Sequence, residues 1–298
     1  SNLPLPRRDL LHGDKYLTIN VVQTSRGCPN ACTFCTVSHV FGRRRRYRPV
    51  EQVVEEIRTL GGWVGFVDDN ITAPPARAKQ LFEALIPLKI RWVGQGDLAM
   101  ARDPELLALA ARSGCKAMFV GIESLAPDNL KSTSKTPNIG LDMSEAISKI
   151  HKAGIEIIGS FILGLDGDTP EVFERTVAFA QQHKLVAAQF AVLTPFPGTQ
   201  IYQQLLDAGR ITDFDWSRYT MSNVLFRPAQ MSATQLAEGQ HYAYRRFYSI
   251  PSILKRSFTT RRQYALRLLV NFSYRGVTRG KGIHKHAPAH QPAKLNSS

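Results

Sequence analysis

"YLTINVVQTSRGCPNACTFC", residues 16–35, joins an apolar, β-branched run to a loop that carries three of the chain's four cysteines within eight residues. The run predicts a strand over 16–24, since Ile, Val and Thr suit a half-buried pleated surface. Similar runs recur at 65–68, 91–94, 117–122, 156–163 and 187–193. Between them lie stretches with helical spacing at 49–60, 76–85, 104–112, 144–153 and 170–182, and another follows at 200–208. Asp103 before Pro104, and Thr169 before Pro170, each pair a capping side chain with a proline at the first helical position. Gly61, Gly114 and Gly154 stand just past three helix ends, where a left-handed residue is wanted. Alternating strand and helix predicts a parallel sheet, and six such units predict an α/β fold, a partial (β/α)6 barrel. Loops at the carboxyl ends of those strands converge on one mouth, so Cys28, Cys32 and Cys35 are expected there.

The alternation stops after Gly209. Residues 1–15 read as a linker, 16–209 as the barrel core and 210–275 as a mostly helical C-terminal extension. Residues 276–298 are basic and poor in large apolar side chains, the composition of a disordered tail. The chain has 298 residues, is 43% hydrophobic and has no block of eighteen apolar residues, so it can bury a core yet does not read as membrane-spanning. Of its net charge of +14, residues 251–298 supply a large part, with ten Lys or Arg and no acid. No signal-peptide pattern is present and the cysteines are clustered, which points to a reducing, cytoplasmic setting.

Thiolates spaced Cys-x3-Cys-x2-Cys hold a soft metal, either zinc or an iron-sulfur cluster. Zinc needs a fourth ligand, which His39 could supply, but structural zinc favours paired Cys-x2-Cys knuckles in small domains that lack another core. A [4Fe-4S] cluster takes four ligands, so three thiolates leave one iron open to a small molecule. Cys115, entering a strand after Gly114, reads as a small buried hydrophobe.

The three-cysteine spacing, with the aromatic Phe34 before the last cysteine, resembles the signature of the radical S-adenosylmethionine (radical SAM) superfamily, and the likeness runs over roughly residues 16–200. It implies a radical SAM barrel in which Cys28, Cys32 and Cys35 bind a [4Fe-4S] cluster and S-adenosylmethionine occupies the open iron. Reductive cleavage would then give a 5′-deoxyadenosyl radical that abstracts hydrogen from a substrate. "GFVDDN", residues 65–70, stands where that family binds the amino group of S-adenosylmethionine, often through a Gly-Gly-Glu type sequence. This chain departs from that sequence, so the role passes to Asp68, Asp69 and Asn70 as a group, acceptors being what an ammonium requires. A capped strand end accounts for the same residues. Gln95, and Glu123 in "GIES", resemble the polar positions that meet the ribose or the methionine. Gly159 and Ser160 open "GSFILGL", which resembles the strand whose backbone lies against the cofactor, with tight packing as the other reading of Gly159. Lys135 either reaches the methionine carboxylate or stands exposed. "TPFPGT", residues 194–199, is expected to shape the substrate side or to be a plain turn.

Within the superfamily, "TSRGCPNACTFCTVSHVFGRRRRYRPVEQVVEEI" (24–57) with "FVDDN" (66–70) is most similar to members that carry a cobalamin-binding domain upstream, including the hopanoid-methylating type. The likeness implies that "LPLPRRDLL" is a linker from such a domain if the chain is a piece of a longer protein; if the chain is complete, the cobalamin step is absent or supplied in trans. Cobalamin would come through that domain or a partner, and the reaction would be methyl transfer to an unactivated carbon. No further cysteine cluster is present, which argues against the sulfur-inserting and methylthio-transferring branches. The implied partners are a small-molecule or lipid substrate and a reductase, flavodoxin or ferredoxin as electron donor. "GRRRRYR", residues 42–48, reads as a binder of phosphate groups or as a solvated charge run. Ile253, Leu254, Phe258, Leu266, Leu268 and Leu269, set among cations, read as a peripheral contact with the inner face of an anionic membrane or as core packing. The sequence pI of about 9.9 comes without an RNA-binding signature, which argues against nucleic acid. The competing class is a non-catalytic iron-sulfur or zinc protein, acting as an electron carrier or a basic RNA- or membrane-binding module. Reductive cleavage of S-adenosylmethionine separates the two.

Overall fold

The computed structural model describes residues 4–13, 16, 18–42, 44–258 and 264–279. Strand β1 (Val21–Val22) runs into a small antiparallel pair, β2 (Ser25–Arg26) and β3 (Arg46–Tyr47), which brackets the cysteine loop and its one-turn helix α1 (Val37–Val40). The chain then alternates through α2 (Val50–Arg58), β4 (Trp63–Phe66), α3 (Pro75–Leu85), β5 (Arg91–Gly96), α4 (Pro104–Arg112) and β6 (Cys115–Glu123). Two helices follow, α5 (Pro127–Ser132) and α6 (Met143–Lys152), before β7 (Glu156–Leu163), α7 (Val172–Gln182), β8 (Ala187–Val192) and α8 (Gln200–Asp207). Helices α9 (Ala233–Phe247), α10 (Ile250–Ser257) and α11 (Tyr264–Arg279) complete the described chain. Strands β1, β4, β5, β6, β7 and β8 form one sheet in that order, every pair parallel. This is the expected α/β fold, a partial (β/α)6 barrel with a helical C-terminal extension.

Local chemistry sets the element ends. Asp103 accepts the Leu106 N–H at 3.0 Å beside Pro104, and Gly114 follows α4 with φ +98, where an added Cβ would stand 2.0 Å from the Ile90 carbonyl oxygen. Three expectations need correction. β1 pairs over two residues rather than nine, because Thr24 and Ser25 are drawn away onto the Asp68 carboxylate. α7 starts at Val172, since Thr169 does not cap it; that hydroxyl bonds the Glu171 carboxylate and holds it below its usual range. α11 runs to Arg279, past the expected start of the tail at 276. Residues 280–298 lie outside the described residues, as do 1–3 and 14–15 of the expected linker, residue 17 of the first expected strand, and the side chain of Leu266.

The core fills both faces of the sheet. Trp92 is fully buried between Phe66 and Phe82, with ring centroids 5.3 and 5.2 Å away, and its Nε1 donates to Ser113 Oγ at 3.1 Å. Cys115 is buried, as expected of a small hydrophobe. Among the described residues no strand lies beside the outer edge of β8, and side chains take a strand's place there. The Tyr248 hydroxyl accepts from Ala188 N (3.0 Å) and donates to Ala188 O (2.9 Å), and the Tyr244 hydroxyl accepts from Phe190 N (3.2 Å). Gln240 donates to Phe190 O at 2.7 Å, while Asn271 and Arg256 donate to Val186 O at 2.8 and 3.3 Å. Gln240, Tyr244 and Tyr248 stand four residues apart, one face of a helix lying along one edge of a strand. Among the described residues no helix is long and apolar enough to cross a membrane.

One buried group makes stability depend on pH. His151 on α6 has an Nε2 without a partner, and burial, reinforced by Arg267, His183 and Lys184, lowers its pKa from 6.5 to about 4. Between those values the unfolded chain binds a proton that the folded chain refuses, so the contribution of His151 to stability falls as pH drops from about 6.5 to about 4. The expected loss is about 2–3 kcal/mol. Urea midpoints measured across that range for the wild type and His151→Leu check it: the variant's acid limb is expected to be flatter.

Candidate active site

At the carboxyl ends of the strands lies a cleft of about 170 Å³, with Cys28, Cys32 and Cys35 lining it. The loop that carries them is tied down along its length. Asp68, wholly buried, accepts from Thr24 N (3.0 Å), Thr24 Oγ1 (2.8 Å) and Ser25 Oγ (2.6 Å). Gly27 follows at φ +92, a backbone that only glycine adopts freely, and a Cβ there would meet the Gly42 carbonyl at 3.2 Å. Its N–H donates to Asp69 Oδ2 at 3.1 Å, and its carbonyl accepts from Arg45, which also bonds the Asn70 carbonyl. Gly27, just before Cys28, is therefore held through both its N–H and its carbonyl. Beyond Cys32, the Thr33 N–H donates to the Thr133 carbonyl and the Thr33 carbonyl accepts from Ile201, both at 3.0 Å.

The thiols sit in opposing fields. Burial pushes Cys32 up to about 11 and raises Cys28 and Cys35, while the Lys135 ammonium pulls all three down. The backbone N–H of Asn30 favours the Cys28 thiolate and that of Val37 the Cys35 thiolate. Such a set suits a soft cluster, whose thiolate ligands are stabilised by backbone donors and a nearby cation. Among the described residues, no three His, Cys, Asp or Glu side chains gather as a single metal ion would need. His39 packs instead on the 194–199 turn: Gly198, at φ +83, leaves it room, and a Cβ there would fall 2.5 Å from His39 Nε2. The zinc reading thereby loses its fourth ligand.

The opposite wall is polar. Asp69, Asn70, Gln95, Glu123, Lys135 and Ser160 line the cleft, and Phe34 closes it beside the thiols. Glu123 takes φ +65, a strained conformation that clusters at functional sites, and meets Lys135 Nζ at 2.8 Å. Burial opposes the Lys135 charge, but Glu123, the Cys32 thiolate and Asp97 outweigh it and hold the ammonium above its usual range. Lys135 is thus buried and paired rather than exposed. Gly121 makes this pair fit, since a Cβ there would stand 2.0 Å from Glu123 Oε1 and 2.7 Å from Lys135 Nζ.

At two positions the geometry favours the other reading of the sequence, a capped strand end for Asp68 and tight packing for Gly159, over a place against the cofactor. Asp68 faces away from the cleft and serves the β1–β2 corner. Gly159 turns behind the sheet, where a Cβ would meet Leu185 Cδ1 at 2.7 Å, so packing explains it and its neighbour Ser160 lines the cleft. Asp97 was missed: it accepts from Asn70 Nδ2 at 2.7 Å, while Asn70 Oδ1 accepts from Thr72 Oγ1 at 2.8 Å. In the arginine run Arg44 and Arg46 are exposed, as a solvated charge run would be, and Arg43 lies outside the described residues. Arg45 holds loop carbonyls, and Arg48 bonds the Gln23 carbonyl and buried Glu56. Removing Asp68 as Asp68→Ala strands three donors and is expected to cost about 2–3 kcal/mol, read as a lower urea midpoint.

Residues 22–180 match the family described as the radical SAM superfamily. The chain belongs to that superfamily. The radical SAM chain is 35% identical over 252 residues to a bacteriochlorophyllide d C-12(1)-methyltransferase of Chlorobaculum tepidum, covering 82% of this chain and 55% of that protein. It is 33% identical over 223 residues to the hopanoid C-2 methylase of Rhodopseudomonas palustris, covering 71% and 42%. Among solved structures, the cobalamin-dependent radical enzyme OxsB shares its fold with TM-score 0.58 and 17% identity, over 87% of this chain and 46% of that one. The methyltransferase TsrM from Kitasatospora setae, solved with cobalamin and a [4Fe-4S] cluster, aligns with TM-score 0.59 and 19% identity, over 77% and 47%. The chain spans about half the length of the curated relatives it matches. It is homologous to proteins named as methyltransferases and cyclases.

Proposed function

We propose that this chain is the radical-generating part of a methyltransferase that acts on an unactivated carbon of a tetrapyrrole-type ring, with cobalamin from an upstream domain or a partner. The observation that carries the reading is the trio of thiols facing a polar wall across one cleft. Cys28, Cys32 and Cys35 would hold a [4Fe-4S] cluster, and S-adenosylmethionine beside it supplies, once reduced, the radical chemistry. Asp69, half-buried and raised in pKa chiefly by burial, offers a carboxylate to the amino group. Lys135 offers an ammonium to the methionine carboxylate, and Gln95, Glu123 and Ser160 offer polar contacts to the ribose. Phe34 excludes water beside the thiols. The substrate class rests on relatives named for bacteriochlorophyllide d and magnesium-protoporphyrin IX monomethyl ester. The chemistry needs a one-electron donor of the flavodoxin, ferredoxin or reductase type.

The test is anaerobic reconstitution with iron and sulfide, addition of S-adenosylmethionine and a strong reductant, and chromatography for 5′-deoxyadenosine. A bacteriochlorophyllide with cobalamin is then added and its mass followed. Nucleoside without a methylated pigment would keep the radical enzyme and remove the methylation. Asp69→Ala is expected to weaken S-adenosylmethionine binding about tenfold, the worth of one charge-assisted hydrogen bond, while iron content stays unchanged. Loss of iron in that variant would show that the Asp69 bond to Gly27, and not a contact with S-adenosylmethionine, is its main task.

A further inference from the structure

Helices α10 and α11 fasten one face each to the lower end of the sheet. Arg256 donates to Leu185 O at 2.7 Å and to Asn271 Oδ1 at 2.7 Å, with its guanidinium 3.7 Å from the Phe247 ring centroid. Arg267 forms a two-pronged pair with buried Glu156, at 2.8 and 2.6 Å. Ser252, Ile253, Ser257 and Asn271 are buried on the same inner faces. The outer faces are unlike an ordinary solvated surface. Ile250, Leu254 and Phe258 recur every fourth residue along α10 and are exposed, Phe258 by 63%. On α11, Leu269 is 67% exposed and Phe272 48%. The Phe258 and Tyr264 rings meet at 5.1 Å, joining the two helices at that end.

The charge carried by α10 and α11 themselves has one sign. Neither helix contains an Asp or Glu, and residues 251–298 carry none. Lys255 is exposed beside Leu254, and Arg245 and Arg246, exposed at the end of α9, lie one turn before Ile250. Arg256, Arg267 and Arg275 are spent on inner carbonyls and Glu156, so they add nothing outside. An exposed apolar stripe on helices that carry cations and no acid is costly in water, and it matches a surface that offers acyl chains beneath anionic headgroups. We propose that the outer face of α10 and α11 docks the protein on an anionic lipid bilayer. Each cation brought near such a surface strengthens binding about fivefold, and the buried rings add to it. This inference is independent of the cleft and its cofactors.

The experiment is co-sedimentation of the full chain with vesicles of phosphatidylcholine alone and of phosphatidylcholine mixed with phosphatidylglycerol. The wild type is expected to bind the mixed vesicles and to leave them as salt rises. The triple variant Arg245→Glu/Arg246→Glu/Lys255→Glu is expected to bind at least about a hundredfold more weakly. The double variant Phe258→Ser/Phe272→Ser is expected to bind at least about tenfold more weakly. Both variants change exposed side chains, and circular dichroism checks that they fold. Equal binding to neutral vesicles, unchanged binding of the charge variant, or a salt-insensitive dimer that leaves vesicles alone would each overturn the proposal.

Discussion

Alanine at Cys32 is expected to strip the protein of iron and of all S-adenosylmethionine cleavage while leaving the fold standing. Residues that merely orient a ligand cost about 10–100-fold in metal affinity when removed, and loss of one of three thiolates should exceed that. The fold survives because the loop is not held by its thiols. Asp68 anchors Thr24 and Ser25, Asp69 and Arg45 hold Gly27, and Thr33 bonds Thr133 and Ile201 through its backbone. Trimming one sulfur from a buried side chain is expected to cost about 1 kcal/mol. Iron analysis, the absorbance of the reconstituted protein and a urea titration check the three statements together. Retained cleavage of S-adenosylmethionine in the variant would remove Cys32 from the assignment.

The second large effect concerns the ion pair across the cleft. Lys135 and Glu123 are both under a tenth exposed, so each charge depends on the other for what water would otherwise supply. Lys135→Met leaves a buried carboxylate alone and is expected to cost about 3–5 kcal/mol, and Glu123→Gln leaves a buried ammonium at similar cost. The ammonium is held above its usual range, so this loss is expected to be the same throughout the neutral pH range. Replacing both, as Lys135→Met with Glu123→Leu, is expected to recover most of the stability but none of the S-adenosylmethionine binding. That split separates a structural pair from a binding one. If the double variant bound S-adenosylmethionine normally, the pair would belong to the fold alone.

The sequence disclosed the architecture well wherever signals were local. β7 and α4 fall at the predicted residues because apolar alternation, the Asp103 cap and Gly114 all lie within the element they define. The thiol loop was equally legible, since its three ligands are neighbours in the chain. What stayed hidden depended on direction or on distant partners. Asp68 and Asp69 are adjacent, yet one turns to the β1–β2 corner and the other to the cleft. Lys135 looks like any surface lysine until the chain brings Glu123, twelve residues earlier, against it over a glycine. Of Gly159 and Ser160, both expected beside the cofactor, only Ser160 lines the cleft, for the same reason. Alternation says that two neighbours face opposite ways, but not which one faces the ligand.

The side-chain cover of β8 bears on how the protein is made. A ribosome delivers β8 by residue 192, whereas Gln240, Tyr244, Tyr248, Arg256 and Asn271 arrive 48 to 79 residues later. At about 5–20 residues per second, the finished strand waits several seconds before its last guardian emerges. During that interval the nascent chain shows a bare edge able to recruit a strand from a neighbour. Expression at lower temperature, or with chaperones that occupy such edges, is therefore the natural route to soluble material, and chains truncated before Asn271 leave the edge unfinished for good.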